Sequence, residues 1–316
     1  MSKMVAVLLA MVLIFCLGCS KSSTQSAPSL WTVQQIWPRG SHPVPSPTSN
    51  AILFMQEESP AGLYLLSNGA ATLINPSGPD ARADYAWSND GTRFCFSAPG
   101  APGGANAGIY LGHPDAPTAL TRLWDRGSHP RFLPGTGGIV CAGPEDSTGN
   151  SDIVQIPLSG TEPTPLSIRG TSPEVSPDGS RIAYLVPGGI EGRTLVVANV
   201  ETTARDTVAG RVLVYYWLGD SRTLVYGSTT NGNPSISTAS VSGAPTTIGG
   251  GAAPAPFPQG NGFVFTALSG DRLDGLFTAA PGQSPVRITH SGTMAIPASG
   301  NRIVAQDTTG LLEITH

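Results

Sequence analysis

The feature that most constrains the fold is an internal repeat. The segment at 176–184 (SPDGSRIAY) has an earlier counterpart at 88–96 (SNDGTRFCF). Each reads as the end of an apolar strand, a turn built on Asp-Gly, and a second strand of alternating residues. Asp-Gly supplies the positive φ that a tight hairpin needs. The pattern therefore predicts a β-hairpin that recurs along the chain.

Seven units emerge when the last residue of that second strand is aligned. The aligned residues are Phe54, Phe96, Cys141, Tyr184, Tyr226, Phe265 and Ala305. Successive members are 42, 45, 43, 42, 39 and 40 residues apart, and a first strand ends eight or nine positions before each of them. In the last two units we place that strand end at Phe257 and Ile296. A period of this length and small scatter is typical of four short strands per unit, the size of a β-propeller blade.

Composition agrees with an all-β chain. The 39 glycines and 29 prolines interrupt helices, while 40% apolar residues suffice for a core. The seventh unit lacks a fourth strand, whereas Trp31–Trp37 (WTVQQIW) precedes the first unit as a spare one. We expect this strand to pair into the last blade, which leaves no open sheet edge. The predicted fold is a single all-β propeller at 31–316 with seven four-stranded blades, six or eight being the alternatives.

The first thirty residues have the organisation of an export signal. Residues 4–17 are apolar, too few to span a bilayer but sufficient for the core of a signal peptide. The sequence Cys16-Leu17-Gly18-Cys19 resembles the lipobox of bacterial lipoproteins. The resemblance implies a signal peptide at 1–18, acylation of Cys19, and a lipidated cysteine with a flexible tether at 19–30. An ordinary secretory leader is the alternative.

Location and partners are predicted from the same segment and from charge. Ser20 resembles the residue that follows the lipidated cysteine in outer-membrane lipoproteins. We expect a lipid-anchored protein of the cell envelope, either on the outer membrane facing the periplasm or at the cell surface. A net charge of −4 argues against binding to nucleic acid. The expected partners are the membrane, through Cys19, and an envelope protein or peptide bound by a monomer.

The segment at 176–184 resembles the WD40-like repeat of TolB-type propellers, which also occurs in the propeller domains of prolyl-oligopeptidase-like proteins. The second and fourth units match closely, and the other units keep the spacing more than the letters. TolB itself has six blades and a separate α/β domain, and neither is visible in this sequence. The resemblance implies a rigid propeller, and we expect its axial face to bind partners.

Few motifs indicate chemistry. No Gly-x-Ser-x-Gly sequence marks a serine hydrolase, and we expect no cofactor. Metal candidates are His42, Asp84 and His129, which stand twelve residues before the aligned positions of the first three units. Hydrogen bonding within loops is the alternative for these three. The oxygen-rich segment 145–152 is a calcium candidate or a solvated hairpin.

A series of basic residues recurs fifteen positions before the aligned residues. It consists of Arg39, Arg126, Arg169, Arg211 and His290, with Arg82 one position later in the second unit. These positions fall in the connections between consecutive blades, which share one face of a propeller. Because arginine recognises carboxylates and phosphates bidentately, the series is a candidate anion-binding or peptide-binding mouth. Ion pairing with nearby carboxylates is the alternative.

These observations favour a membrane-tethered scaffold of the cell envelope that engages a protein or peptide on its axial face and is not an enzyme. The alternative is a propeller enzyme of the lactonase or glycan-acting type, or a sugar or small-ligand binder, that uses the central channel. The enzyme would need acidic or histidine residues at the axis, and His42, Asp84 and His129 are its candidates.

The lipobox leads to a direct test. Cys19→Ala should abolish incorporation of labelled palmitate and release the protein from the membrane fraction, because the thioether is lost. Cys16→Ala is the matched control and should keep both properties, since Cys16 lies in the predicted signal peptide. Label that persists in the Cys19 variant would contradict the prediction.

Overall fold

The computed structural model describes residues 31–76, 84–98, 107–135, 137–188, 192–202, 204–230, 232–270, 272–290, 292–298 and 302–316. The predicted signal peptide, Cys19, the tether and Arg82 lie outside the described residues. Within these ranges the chain is all-β, and no helix is long and apolar enough to cross a membrane.

Short strands follow one another along the whole described chain. In chain order, the first thirteen are β1 (Thr32–Trp37), β2 (Ser41–Pro45), β3 (Ile52–Gln56), β4 (Gly62–Ser67), β5 (Ala70–Asn75), β6 (Tyr85–Trp87), β7 (Phe94–Ala98), β8 (Gly108–His113), β9 (Ala116–Trp124), β10 (Ser128–Phe132), β11 (Gly138–Ala142), β12 (Ser151–Pro157) and β13 (Thr164–Val175). They are followed by β14 (Arg181–Pro187), β15 (Arg193–Asn199), β16 (Arg205–Ala209), β17 (Val212–Trp217), β18 (Thr223–Thr230), β19 (Asn233–Ser240), β20 (Thr246–Pro256), β21 (Phe263–Ser269), β22 (Arg272–Ala279), β23 (Val286–Thr289), β24 (Thr293–Pro297), β25 (Arg302–Asp307) and β26 (Gly310–Thr315).

Antiparallel pairing groups the described strands into four-stranded sheets, one for each repeat unit. Sheet 1 is β2 to β5, sheet 2 is β6 to β9, sheet 3 is β10 to β13, sheet 4 is β13 to β16, sheet 5 is β17 to β20, sheet 6 is β20 to β23, and sheet 7 is β24, β25, β26 and β1. The long strands β13 and β20 each end one sheet and begin the next. Each therefore makes the blade-to-blade connection without a loop.

The sheets form a closed ring. The first strand of each sheet contacts the first strands of both neighbouring sheets, so these seven inner strands surround a channel. Apolar side chains fill every interface between successive sheets. One such cluster joins sheets 1 and 2 through Leu53 and Phe96, and another joins sheets 7 and 1 through Val304 and Phe54. The predicted β-propeller is confirmed.

The N-terminal strand closes the ring as expected. β1 pairs antiparallel with β26, with Val33 opposite Ile314 and Gln35 opposite Leu312. Its outer position explains why the first four residues of β1 are exposed. The strand ends in the last two sheets differ from the sequence alignment. Pro256 occupies the position assigned to Phe257, because the turn in sheet 6 has the same length as in the preceding sheets. Pro297 occupies the position assigned to Ile296, because the turn in sheet 7 is one residue shorter.

Most inner strands carry a bulge near their start. The register shifts between Ser41 and Val44 in sheet 1, and again between Ser128 and Arg131 in sheet 3. The residue within the bulge has a positive φ, 52° at His42 and 54° at His129. Such a bulge redirects side chains locally. The glycine two positions before His42 is also required, because a Cβ on Gly40 would lie 2.8 Å from the Phe54 ring.

Tyrosine and tryptophan side chains tie neighbouring inner strands together at two places. In sheet 2, Tyr85 Oη donates to the His42 carbonyl, and Trp87 Nε1 donates to the Val44 carbonyl at 2.9 Å. In sheet 5, Trp217 Nε1 donates to the Glu174 carbonyl at 3.0 Å. These bonds satisfy carbonyls that face the neighbouring sheet, so they fix the inner strands against one another.

The equivalent tyrosine of sheet 5, Tyr215, gives a test of stability. Tyr215 Oη donates to the Ser172 carbonyl and lies 3.0 Å from the Ala183 carbonyl. Tyr215→Phe removes this buried hydrogen-bond donor from both carbonyls and should lower the free energy of unfolding by about 1–3 kcal/mol. Chemical denaturation checks this. Tyr216→Phe is the control and should stay within about 0.5 kcal/mol of wild type, as expected away from buried hydrogen bonds. Equal losses in both variants would contradict the assignment.

Candidate functional site

The inner strands present two rings of equivalent residues to the channel. The hydrogen-bond register aligns the first ring, near the start of each inner strand, as His42, Asp84, His129, Ser172, Val214, Ala253 and Met294. Two positions further along each strand, the second ring is Val44, Ala86, Arg131, Glu174, Tyr216, Ala255 and Ile296. All of them are half-buried except Ala255, which is buried. This exposure is typical of side chains that line an open channel.

The two rings divide the channel into unlike halves. The polar wall, from sheets 2 to 5, consists of Asp84, His129, Arg131, Ser172, Glu174 and Tyr216. The apolar wall, from sheets 5, 6, 7 and 1, consists of Val44, Val214, Ala253, Ala255, Met294 and Ile296. A ligand in this channel would therefore meet hydrogen-bonding groups on one side and hydrocarbon on the other.

Two cavities follow the inner strands. One, of about 300 Å³, is bounded by the apolar wall together with His42 and Tyr216. The other, of about 420 Å³, lies at the opposite ends of the inner strands and includes Glu174, Tyr216 and Phe257. Tyr216 borders both cavities, so its side chain lies between them.

Asp84 and His129 form a pair on the polar wall. His129 Nε2 lies 3.3 Å from Asp84 Oδ1, and the two side chains are 33% and 16% exposed. Asp84 Oδ2 accepts from the His129 backbone N–H at 3.2 Å and from Ser97 Oγ at 3.3 Å. On the other edge of the imidazole, Nδ1 lies 3.1 Å from Ser128 Oγ. Burial lowers the pKa of His129 below 6.5, while the Asp84 carboxylate opposes that shift.

Arg131 and Glu174 form a second pair beside it. Arg131 Nε donates to Glu174 Oε1 at 2.6 Å, and Arg131 Nη1 donates to the Pro130 carbonyl at 2.9 Å. Burial raises the pKa of Glu174, and the adjacent guanidinium opposes this effect. Burial, and then the charge of Glu174, raises the pKa of Tyr216. Tyr216 therefore remains a hydrogen-bond donor throughout the physiological pH range.

The structure separates the three predicted metal ligands. His42 borders the apolar cavity, its backbone N–H donates to Gln306 Oε1 at 2.6 Å, and burial lowers the pKa of its imidazole. Asp84 pairs with His129 instead. No group of three His, Cys, Asp or Glu side chains is placed to hold a metal ion in the part of the chain that the structure describes.

The described members of the arginine series lie in the connections between sheets, and three of them pair with carboxylates. Arg39 Nε is 3.5 Å from Glu58, Arg126 Nε is 2.8 Å from Asp125, and Arg169 pairs with Asp146 and Asp152. Arg211 and His290 are exposed. An anion would have to compete with these existing partners. Anion binding by the series stays a prediction.

One further candidate, the oxygen-rich segment 145–152, has a structural explanation. In the loop 145–152, Asp146 accepts from the backbone N–H groups of Thr148 at 2.7 Å and Asn150 at 3.2 Å. Bonds from Thr148 hold the pKa of Asp146 at about 2, and Arg169 already supplies a positive charge there. Cys95 and Cys141 are buried free thiols packed between sheets 2 and 3.

Asp84 and His129 were identified from the sequence, whereas Arg131, Glu174 and Tyr216 were missed. A signal existed in the repeat alignment. The position two residues after the bulge is apolar in sheets 1, 2, 6 and 7, but charged or phenolic in sheets 3, 4 and 5. Polar residues at a repeat position that is otherwise apolar would have indicated that one side of the channel is polar.

No protein-family model and no curated protein matches this sequence. Solved structures do match it, at low identity. A puromycin-hydrolyzing peptidase of Mycobacterium tuberculosis is 19% identical with a TM-score of 0.63, over 84% of this chain and 48% of the peptidase, so the chain spans about half that protein's length. An oligogalacturonate lyase in complex with manganese is 14% identical with a TM-score of 0.60, over 92% of this chain and 91% of the lyase. TolB from Acinetobacter baumannii is 17% identical with a TM-score of 0.52, over 65% of this chain and 55% of TolB.

These likenesses establish the β-propeller fold, and they correct one prediction. The expectation that the chain is not an enzyme is contradicted, because its structural neighbours include a peptidase and a lyase. That expectation relied on the absence of a Gly-x-Ser-x-Gly motif. The motif belongs to a hydrolase domain beside the propeller, so its absence does not bear on chemistry within the channel.

The Asp84–His129 pair has a measurable signature. NMR titration of the imidazole nitrogens should give His129 a pKa below 6.5, and Asp84→Asn should lower it further because the anionic partner is lost. Folding then favours neutral His129. The contribution of neutral His129 to the free energy of unfolding is complete above pH 6.5 and is lost as the pH falls towards the folded-state pKa.

The control for this titration is Asp274→Asn, which removes a carboxylate that pairs with Arg287 in sheet 6. It should leave the His129 titration unchanged. A His129 pKa at or above 6.5 in the wild type, or one that rises in Asp84→Asn, would contradict the assignment.

Proposed function

We propose that this propeller binds a small organic ligand of the sugar or lactone class in its central channel and carries out acid–base chemistry on it. The observation that supports this proposal is the division of the channel into a polar wall and an apolar wall. Ligand sites are mostly apolar, with a few fixed polar groups that orient the ligand. The channel has this composition, and its cavities have the volume of such sites.

The apolar wall provides binding without orientation. Val44, Val214 and Ile296 present aliphatic carbon to the cavity, so a ligand with a hydrocarbon face would release water from both surfaces. The C–H face of a sugar ring or of a lactone meets this requirement. Polar substituents on the opposite face of the ligand would then point towards the polar wall.

The polar wall provides orientation and proton transfer. Arg131 is held by Glu174 and by a backbone carbonyl, so its charge is fixed in position before a ligand arrives. His129 is neutral near pH 7 because burial lowers its pKa, and a neutral imidazole can accept a proton. Tyr216 is the donor nearest the boundary between the two walls.

The comparison with the oligogalacturonate lyase supports the glycan-acting alternative in one respect. That protein is matched over nearly the whole of both chains, so a propeller of this size can constitute an enzyme without an added domain. The puromycin-hydrolyzing peptidase is matched over about half its length. We therefore prefer a substrate in the channel to one held between this propeller and a second domain.

The envelope setting remains part of the proposal. Acylation of Cys19 would tether the propeller to a membrane through residues 19–30, on the outer membrane facing the periplasm or at the cell surface. A protein or peptide on the axial face is compatible with a ligand in the channel, because the exposed basic residues of the series lie in the connections between sheets, Arg169 within β13 and the other described members in loops.

Blocking the channel tests the proposal. A panel of neutral and acidic oligosaccharides and of lactones would be screened by thermal shift, because a ligand that binds the folded state raises Tm. Val214→Trp places an indole in the apolar cavity and should abolish the shift produced by any hit. The neighbouring Leu213, which is 63% exposed, gives the matched control Leu213→Trp, which should retain the shift.

Two results would contradict the proposal. One is a panel without any shift in the wild type. The other is a shift that survives Val214→Trp, because the ligand would then bind outside the channel.

A further inference from the structure

We infer that Ser128, His129 and Asp84 form a nucleophile, base and orienting carboxylate that hydrolyse a small carboxylic ester in the channel. This inference deepens the proposed function by naming the bond that is broken, and it rests on that function for the location of the substrate. The three side chains make a continuous chain of contacts, from Ser128 Oγ to Nδ1 of His129 at 3.1 Å and from Nε2 to Asp84 Oδ1 at 3.3 Å. A hydroxyl, an imidazole and a carboxylate in this order form the arrangement that activates a serine.

The surroundings fix the direction of proton transfer. The Asp84 carboxylate lies 3.3 Å from Nε2 of His129, and its negative charge favours the tautomer in which Nε2 carries the proton and Nδ1 has a free lone pair. Ser128 Oγ then donates to Nδ1. Two further donors, the His129 backbone N–H and Ser97 Oγ, hold Asp84 in position. The base is therefore oriented before substrate binds.

Ser128 and His129 begin the inner strand of sheet 3, where the bulge gives His129 its positive φ of 54°. His129 belongs to the polar wall, Ser128 directly precedes it in the chain, and both residues are half-buried. A small ester whose hydrocarbon part contacts the apolar wall could thus present its carbonyl to Ser128. Lactones and acyl esters of sugars are the substrate class that meets both requirements.

The reaction balances without a cofactor. Ser128 Oγ attacks the ester carbonyl carbon, and its proton moves to Nδ1 of His129. The bond between that carbon and the alcohol oxygen breaks, and the departing alcohol takes the proton from Nδ1. Water then attacks the acyl-serine and gives its proton to Nδ1, which returns one to Ser128 Oγ as the carboxylic acid leaves.

The repeat supplies an internal comparison. The sequence Arg-Gly-Ser-His-Pro occurs at 39–43 as well as at 126–130. His129 of sheet 3 pairs with Asp84 of the preceding sheet. The sheet that precedes sheet 1 is sheet 7, and its residue equivalent to Asp84 is Met294, so no carboxylate stands at that described position beside His42. Ser41 Oγ is buried without a hydrogen-bond partner among the described residues. The two serines share their local sequence, but of the two only Ser128, in sheet 3, has both the histidine and the carboxylate in line with it.

A fluorophosphonate probe, which phosphonylates activated serines, tests the inference on the purified full chain. The expected result is one label, located on Ser128 by peptide mass spectrometry and absent in Ser128→Ala. Asp84→Asn should slow labelling by about 100-fold or more, the usual scale of general-base assistance. Ser41→Ala should label at the wild-type rate. The labelling rate should also rise with pH through the pKa of His129, which a purely structural role of these residues would not produce.

The inference is overturned if the folded wild type acquires no label on Ser128, if Asp84→Asn labels as fast as wild type, or if Ser41 is labelled equally. His129→Gln provides the same comparison should Asp84→Asn fail to fold. Failure of the inference and of the proposed function are distinguishable. A ligand that shifts Tm in the absence of Ser128 labelling removes only the ester chemistry, whereas labelled Ser128 without any channel ligand removes the proposed ligand class.

Discussion

The apolar packing between successive sheets is the interaction on which the rest of the structure depends. Each sheet has one cluster of buried side chains on each face, and the cluster that contains Phe54, Tyr64 and Val304 joins the last sheet to the first. A ring closed in this way has no terminal sheet with an uncovered face. Its stability therefore depends on every interface and on the pairing of β1 with β26, which gives sheet 7 its fourth strand. The positions of the channel residues follow from this closure, because each inner strand is held between two neighbours.

Given a rigid ring, function depends on which side chains the inner strands direct to the axis. The bulge at the start of most inner strands creates two equivalent rings of positions, and differences among the repeats at these positions divide the channel. Sheets 2 to 5 place charged and hydrogen-bonding groups there, whereas sheets 6, 7 and 1 place mostly aliphatic ones. Duplication thus produced a symmetric scaffold, and divergence at a few inner positions produced an asymmetric site. The pairs Asp84–His129 and Arg131–Glu174 each join adjacent sheets, so a change in either pair affects both the site and an interface.

Much of the fold could be predicted from the sequence because a propeller repeats its signals. The Asp-Gly turns at 88–92 and 176–180, the recurring spacing and the spare strand at the N-terminus together define the sheets and the closure. The structure shows why those turns recur. Asp90 accepts from Ser88 Oγ at 2.6 Å and from the Thr92 backbone N–H at 3.0 Å, and bonds from these residues hold its pKa at about 2. Local hydrogen bonding of this kind is readable from short segments.

The site was less predictable, because its residues meet through contacts between sheets. His129 and Asp84 were recognised from their equivalent positions, but nothing local shows that they touch while His42 faces the apolar wall. The arginine series showed the opposite problem. Its regular spacing drew attention, yet Arg39, Arg126 and Arg169 pair with carboxylates, as exposed arginines commonly do. Arg131 and Glu174 were missed because a charged residue in a strand indicates a channel site only once that strand is known to lie beside the axis.

The central claim is that a ligand binds between the two walls of the channel. The most direct measurement is a crystal structure of the protein grown with the oligosaccharide or lactone that gives the largest thermal shift. The account predicts electron density inside the channel, in contact with Val214 on one side and with Tyr216 and His129 on the other. Density confined to the outer strands or to the arginine-bearing loops between sheets, with the channel containing only solvent, would contradict it.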